Sequence, residues 1–139
     1  MKISAHVSNS LLKNEIQLQT NEKIHSITIT PKESGFGSKA NGGELLFLAL
    51  ATCYCNDIYR EAAKKGMKIE KVDVNVEGHF GSEGDPALNI TYSAKVTAEG
   101  NYEEIIELMK HTDQVSEIQN TLRKGIPVIL DRVDVIRTQ

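Results

Sequence analysis

Positive charge is scarce and dispersed in this sequence. Sixteen Lys and Arg are scattered among 19 Asp and Glu over 139 residues, for a net charge of -3. No basic stripe is available to neutralise successive phosphates, and aromatic residues that could stack on bases make up only 5% of the chain. Nucleic acid is therefore not an expected partner. Cysteine is scarcer still. Cys53 and Cys55 are the only two, one residue apart, which excludes a disulfide framework and suits a reducing cytoplasm. Long apolar runs are missing as well. The longest, residues 45–54, falls far short of the roughly 20 residues a bilayer-spanning helix needs. The opening Met1-Lys2-Ile3-Ser4-Ala5-His6 lacks the apolar stretch of a secretory signal. A cytoplasmic protein without a membrane span is the expectation.

Several chemical signatures are absent too. No Gly-x-Ser-x-Gly elbow supports a serine nucleophile. Gly35-Phe36-Gly37-Ser38-Lys39 lacks the order of a phosphate-binding loop, so it reads as plain loop. His6, His25, His79 and His111 have neither H-x-x-x-H spacing nor a neighbouring cysteine pair. No cofactor or metal is expected from these patterns.

What is present describes an ordinary globular chain, 40% apolar and 25% charged, of a size that buries about two thirds of its unfolded surface. A single domain over residues 1–139 is expected. Apolar and polar positions alternate through Ile3, Ala5, Val7, then Ile16, Leu18, then Ile24, Ile27, Ile29, the period of short antiparallel strands. Asn14 and Asn21-Glu22-Lys23 are read as the turns between them. A loop rich in Gly and Ser follows, over residues 31–43. Its length inside a compact domain marks it as a candidate functional segment.

A helix is predicted from about Gly43 to Lys65, with Gly66 as its C-terminal cap. Its first half is apolar on every side, so the sheet, a partner subunit or both should enclose it. Alternating Ile69, Val72, Val74, Val76 and Leu88, Ile90, Tyr92, Ala94, Val96 predict a hairpin of two longer strands. Two short helices, 102–111 and 116–124, and a last strand over 126–136 complete the order. Strands and helices that do not alternate as repeated units favour α+β with a mainly antiparallel sheet.

On the central helix, Cys53 shares its face with Ala49, Leu50, Asn56, Asp57 and Arg60, whereas Cys55 lies with Leu48, Ala51, Ile58, Tyr59 and Ala62. Cys55 reads as an inert core residue. Residues i and i+2 point about 200° apart on a helix, so no disulfide between the two is expected without unwinding. Cys53 has polar neighbours, but Arg60 stands two turns away, about 10 Å along the axis. Cys53 can thus be read as a reactive thiol or as packing. Glu44 suits the positive end of the helix dipole. A partnership with Cys53, about 180° away on an ideal helix, needs irregular geometry or a second subunit.

The stretch Asn41-Gly42-Gly43-Glu44-Leu45-Leu46-Phe47-Leu48-Ala49-Leu50-Ala51-Thr52-Cys53 resembles the start of the central helix in the OsmC/Ohr family of osmotically induced and organic hydroperoxide resistance proteins, particularly its OsmC-like branch. The order of elements is similar along nearly the whole chain. The resemblance implies an intertwined homodimer with sites at the subunit interface. It also implies that Cys53 occupies the peroxide-attacking position, Glu44 the family glutamate, and Ser116 the position of the resolving cysteine. Here that cysteine is replaced by serine. The family's N-terminal arginine is missing, and Lys13, Lys23, Lys32 or Lys39 could supply charge but not a planar bidentate contact. These substitutions disfavour two-cysteine turnover. They leave a one-cysteine cycle, in which an external thiol reduces an oxidised Cys53, beside a non-enzymatic role in binding a small hydrophobic ligand at the dimer interface, or a structural dimer module.

Overall fold

A computed structural model describes residues 1–138 as two compact units, 1–47 and from Leu48 onward. The first carries strands β1 (Ile3–Ser10), β2 (Lys13–Thr20) and β3 (Lys23–Ile27), paired antiparallel in that order. Register sets Val7 opposite Ile16 and Ile16 opposite Ile27, with Ala5 opposite Leu18. Because side chains alternate across a strand, Ile3, Ala5, Val7, Ile16, Leu18 and Ile27 share one face. That face has little cover: Ile3 is 65% exposed and Val7 59%.

The β1–β2 turn falls at Leu11 and Leu12, where Leu12 takes a positive φ of 57°. Asn14 is instead paired with Asn9 inside β2. The turn expected at Asn14 therefore falls two residues too late, because the backbone makes it with two leucines. The Leu12 N–H donates to Gly35 O at 2.5 Å. Gly35 has φ +98°, and a Cβ there would meet Leu11 Cδ1 at 2.5 Å, so this crossing needs glycine. Asn21, with φ 51°, makes the second turn as expected.

The second unit holds the core. Helix α1 (Gly42–Lys64) begins in the first unit, where Asn41 and Glu44 cap it reciprocally. The Glu44 N–H donates to Asn41 Oδ1 at 2.8 Å, and the Asn41 N–H donates to Glu44 Oε1 at 3.0 Å. At its far end Gly66, φ +66°, closes the helix, with the Met67 N–H returning to Ala62 O at 2.9 Å. The buried stripe Tyr54, Ile58, Ala62 meets Leu108 of α2 (Tyr102–Val115) and the inner face of β4 (Ile69–His79) and β5 (Leu88–Ala98). Val72, Val74, Tyr92, Ala94 and Val96 supply that inner face, as the alternation predicted. Helix α2 runs four residues past its expected end. The two antiparallel sheets and three helices are the expected α+β class.

Two expectations need correction. Residues 126–136 form no strand. Their alternation is real, but a strand requires a ladder partner, and among the described residues none pairs with them. Val128 is 99% exposed and Ile136 95%. Cys55 is also not deep core. It is half-buried and lines a cleft of about 230 Å³ with Ala51, Thr52, Asn56, Val72 and Val74. Of the face read with Cys55, Ile58 and Ala62 join Tyr54 in the core, whereas Leu48 and Tyr59 are exposed.

Candidate active site

Cys53 sits where α1 passes the start of α3 (Glu117–Arg123). Asp57 follows it by four residues, hence on the same helical face. The Cys53 thiol donates to Asp57 Oδ2 over 3.3 Å, and Glu117 Oε2 lies 3.8 Å from the same sulfur. The outer carboxylate oxygens both meet one guanidinium. Arg60 Nη1 is 3.0 Å from Asp57 Oδ1 and 3.2 Å from Glu117 Oε1. Arg60 also reaches Glu61 at 3.8 Å, and Glu61, itself buried, meets Lys64 at 2.7 Å and His111 at 3.4 Å.

Burial pushes the Cys53 thiol above its ordinary range. The Ile118 N–H opposes this, while hydrogen bonding and charge from Asp57, with charge from Glu117, add to it. Asp57 is also raised, chiefly by burial and then by Glu117, against hydrogen bonding from Cys53 and the Arg60 charge. Glu117 is lowered by its own backbone N–H and by Arg60.

The predicted site residues divide in two. Cys53 stands at the centre of this cluster. Glu44 is held in the capping box of the first unit. Ser116 is fully buried between α2 and α3, its hydroxyl donating to Thr112 O at 2.7 Å. The two residues after it, Glu117 and Ile118, are the ones that reach the sulfur. Lys13, Lys23, Lys32 and Lys39 belong to the first unit. Arg60, judged too far to touch the thiol, acts on it only through the two carboxylates.

Sequence reading missed Glu117 entirely and noticed Asp57 only as a neighbour. The Cys-x-x-x-Asp spacing was a usable signal for Asp57. Nothing local marks Glu117, which lies 64 residues from Cys53.

One turn before Cys53, Leu50 opens a recess of about 270 Å³ shared with Ile90, Tyr92, Gln119, Leu122 and Arg123. Gln119 donates from Nε2 to Leu50 O at 3.0 Å, and its buried Oε1 has no partner. No helix among the described residues is long and apolar enough to cross a membrane.

The arrangement is an α+β chain whose long helix carries a free thiol, Cys53, faced by acids from that helix and from a later one. The OsmC-like protein family model matches residues 35–131, and the chain belongs to that family. Its fold is similar to an OsmC-like protein from Mycoplasma pneumoniae (TM-score 0.57, 21% identity, covering 88% of this chain and 86% of that one). It is also similar to an OsmC-like protein of unknown function from Vibrio cholerae (TM-score 0.60, 15% identity, 87% and 93%). A third similar structure is an organic hydroperoxide resistance protein from Legionella pneumophila (TM-score 0.56, 17% identity, 88% and 90%). No curated protein sequence matches.

Proposed function

We propose that the protein reduces organic hydroperoxides through Cys53 in a one-cysteine cycle, as a homodimer. The observation that carries this reading is the Cys53 thiol, half-buried and hydrogen-bonded to Asp57. Membership of the family and structural relatives named for organic hydroperoxide resistance support it. In the cycle Asp57 accepts the thiol proton. The sulfur then attacks the terminal oxygen of R–O–O–H, the S–O bond forms and the O–O bond breaks. The alkoxide leaves with the electron pair and takes the proton to become an alcohol. Cys53 is left as sulfenic acid, two electrons oxidised. With Ser116 in the resolving position, an external thiol must attack that sulfur, releasing water, and a second thiol then frees Cys53 as the thiol and departs as a disulfide. The uncovered apolar faces of β1–β3 and residues 126–136 support a second copy as partner, because monomers seldom expose such patches. Glu44 would then serve as the family glutamate only across that interface.

The test is hydroperoxide consumption with a thiol reductant and a sulfenic-acid trap, with chelator present. Cys53→Ser should abolish consumption and trapping, and Cys55→Ser should retain both. Consumption that survives Cys53→Ser, or its absence from the wild-type protein, would overturn the reading. A second reading, binding of a small apolar ligand without turnover, is favoured by the recess at Leu50, Ile90 and Leu122 with its unpartnered Gln119 oxygen. Saturable binding of apolar ligands by wild-type and Cys53→Ser protein alike, with no consumption, would select it.

A further inference from the structure

The geometry points to a divalent-metal site of one thiolate and two carboxylates, formed by Cys53, Asp57 and Glu117. Three donor atoms, Cys53 Sγ and one carboxylate oxygen each from Asp57 and Glu117, lie within 4.8 Å of one another. They come from an i, i+4 pair on α1 and from the first turn of α3. An i, i+4 pair on one helical face is an economical way to present two ligands to one ion.

The spacing can be tested against coordination chemistry. With a metal–sulfur bond of about 2.3 Å and a metal–oxygen bond of about 2.1 Å, a tetrahedral angle sets sulfur and oxygen about 3.6 Å apart. The two sulfur–oxygen distances, 3.3 and 3.8 Å, fall on either side of that value. The third edge, between the two carboxylate oxygens, is bounded at 4.8 Å, so the Glu117 side chain, which lies at the surface, closes in when an ion is seated.

The other oxygens are already placed as a metal centre requires. Arg60 holds Asp57 Oδ1 and Glu117 Oε1, which turns Oδ2 and Oε2 toward the sulfur. Ligating carboxylates are characteristically oriented by such outer hydrogen bonds. Once an ion displaces the thiol proton, three anionic donors against one guanidinium leave two formal negative charges, which a divalent cation cancels. Glu61 shows the contrast: its carboxylate meets Arg60, Lys64 and His111, so cationic side chains already surround it. The inner oxygens of Asp57 and Glu117 instead face a thiol. Asp57 is 6% exposed, while Glu117 lies at the surface and leaves an entry path.

Three protein ligands leave a fourth position for water or a substrate atom. Sulfur in the set favours Zn²⁺ or Co²⁺ over Mg²⁺ or Ca²⁺. An ion bound there would hold the Cys53 sulfur and mask it from oxidants, so metal binding competes with peroxide reduction at the same thiol.

The test uses the full-length, reduced, metal-free protein titrated with Co²⁺, without peroxide. The expected result is one ion per chain and a sulfur-to-cobalt charge-transfer band that Zn²⁺ displaces. Cys53→Ser should abolish the band, and Cys55→Ser should leave it unchanged. Glu117→Gln, a surface change, and Asp57→Asn should each weaken binding at least tenfold, with far-ultraviolet circular dichroism confirming that each variant is folded. Bound Zn²⁺ should slow alkylation of Cys53 at least tenfold. No saturable band in the wild-type protein overturns the proposal, as does a band lost with Cys55→Ser but retained in Cys53→Ser. Because peroxide consumption is measured with chelator, failure of either experiment leaves the other result standing.

Discussion

At the scale of single residues, the central finding is that Cys53 is surrounded by acids where the family resemblance led us to look for an arginine. Negative neighbours favour the protonated thiol. Asp57 contributes through both a hydrogen bond and its charge. At a pH well below the thiol pKa, alkylation follows the thiolate fraction, which rises about tenfold for each unit the pKa falls. Alkylation of Cys53 should therefore be slow at pH 7 and climb through the alkaline range. Asp57→Asn removes a group that raises the pKa, so its pH profile should move to lower pH and its rate at pH 7 should rise several-fold. An iodoacetamide rate profile on Cys55→Ser protein measures this directly. An unchanged or alkaline-shifted profile in the Asp57 variant would contradict the electrostatic account. The result also bears on catalysis, since a gain in alkylation joined to a loss of peroxide consumption identifies Asp57 as the group that carries the proton.

At the scale of elements, legibility followed locality. The period of Val72, Val74 and Val76 against Tyr92, Ala94 and Val96 announced the hairpin, and Gly66 announced the end of α1, because both signals lie within a few residues. Cys53 stood out for the same reason. Glu117 did not, because its place beside the thiol depends on how α3 meets α1. The Cys55 face of α1 was legible only in part, with Ile58 and Ala62 in the core but Leu48 and Tyr59 exposed, because a helix apolar on every side does not declare which side the core will use. These two kinds of position should differ in their energetic weight. Ile58 is fully buried beside Leu108, so Ile58→Ala should cost about 2–5 kcal/mol through lost burial and a cavity. Gly66→Ala meets open space and strains only the backbone at φ +66°, so it should cost about 1–2 kcal/mol. Urea unfolding of both variants gives the comparison, and equal losses would show that the core is not centred on Ile58.

At the scale of the whole molecule, residues 126–136 have the alternation of a strand but pair with no strand among the described residues. The alternation was legible, but the partner was not, since a period of two says which side chains share a face and nothing about which strand they meet. Leu130 is 84% exposed and Val135 77%, and such a run left in water invites pairing. The apolar face carrying Ile3 and Val7 is similarly uncovered. If a second copy covers these surfaces, the two should separate under different changes. Sedimentation should give the wild-type chain twice its 15.4 kDa mass. Ending the chain after Gly125 should shift the equilibrium toward monomer, and the hairpin and helices should keep their circular dichroism, because the buried cluster of Tyr54, Ile58, Ala62 and Leu108 contains no residue beyond the cut. Ile3→Lys with Val7→Lys should weaken the dimer independently, by placing charge on the face of β1. A truncated chain that remains fully dimeric would show that residues 126–136 lie outside the interface. A wild-type chain that sediments as a monomer would leave both apolar surfaces for a different partner.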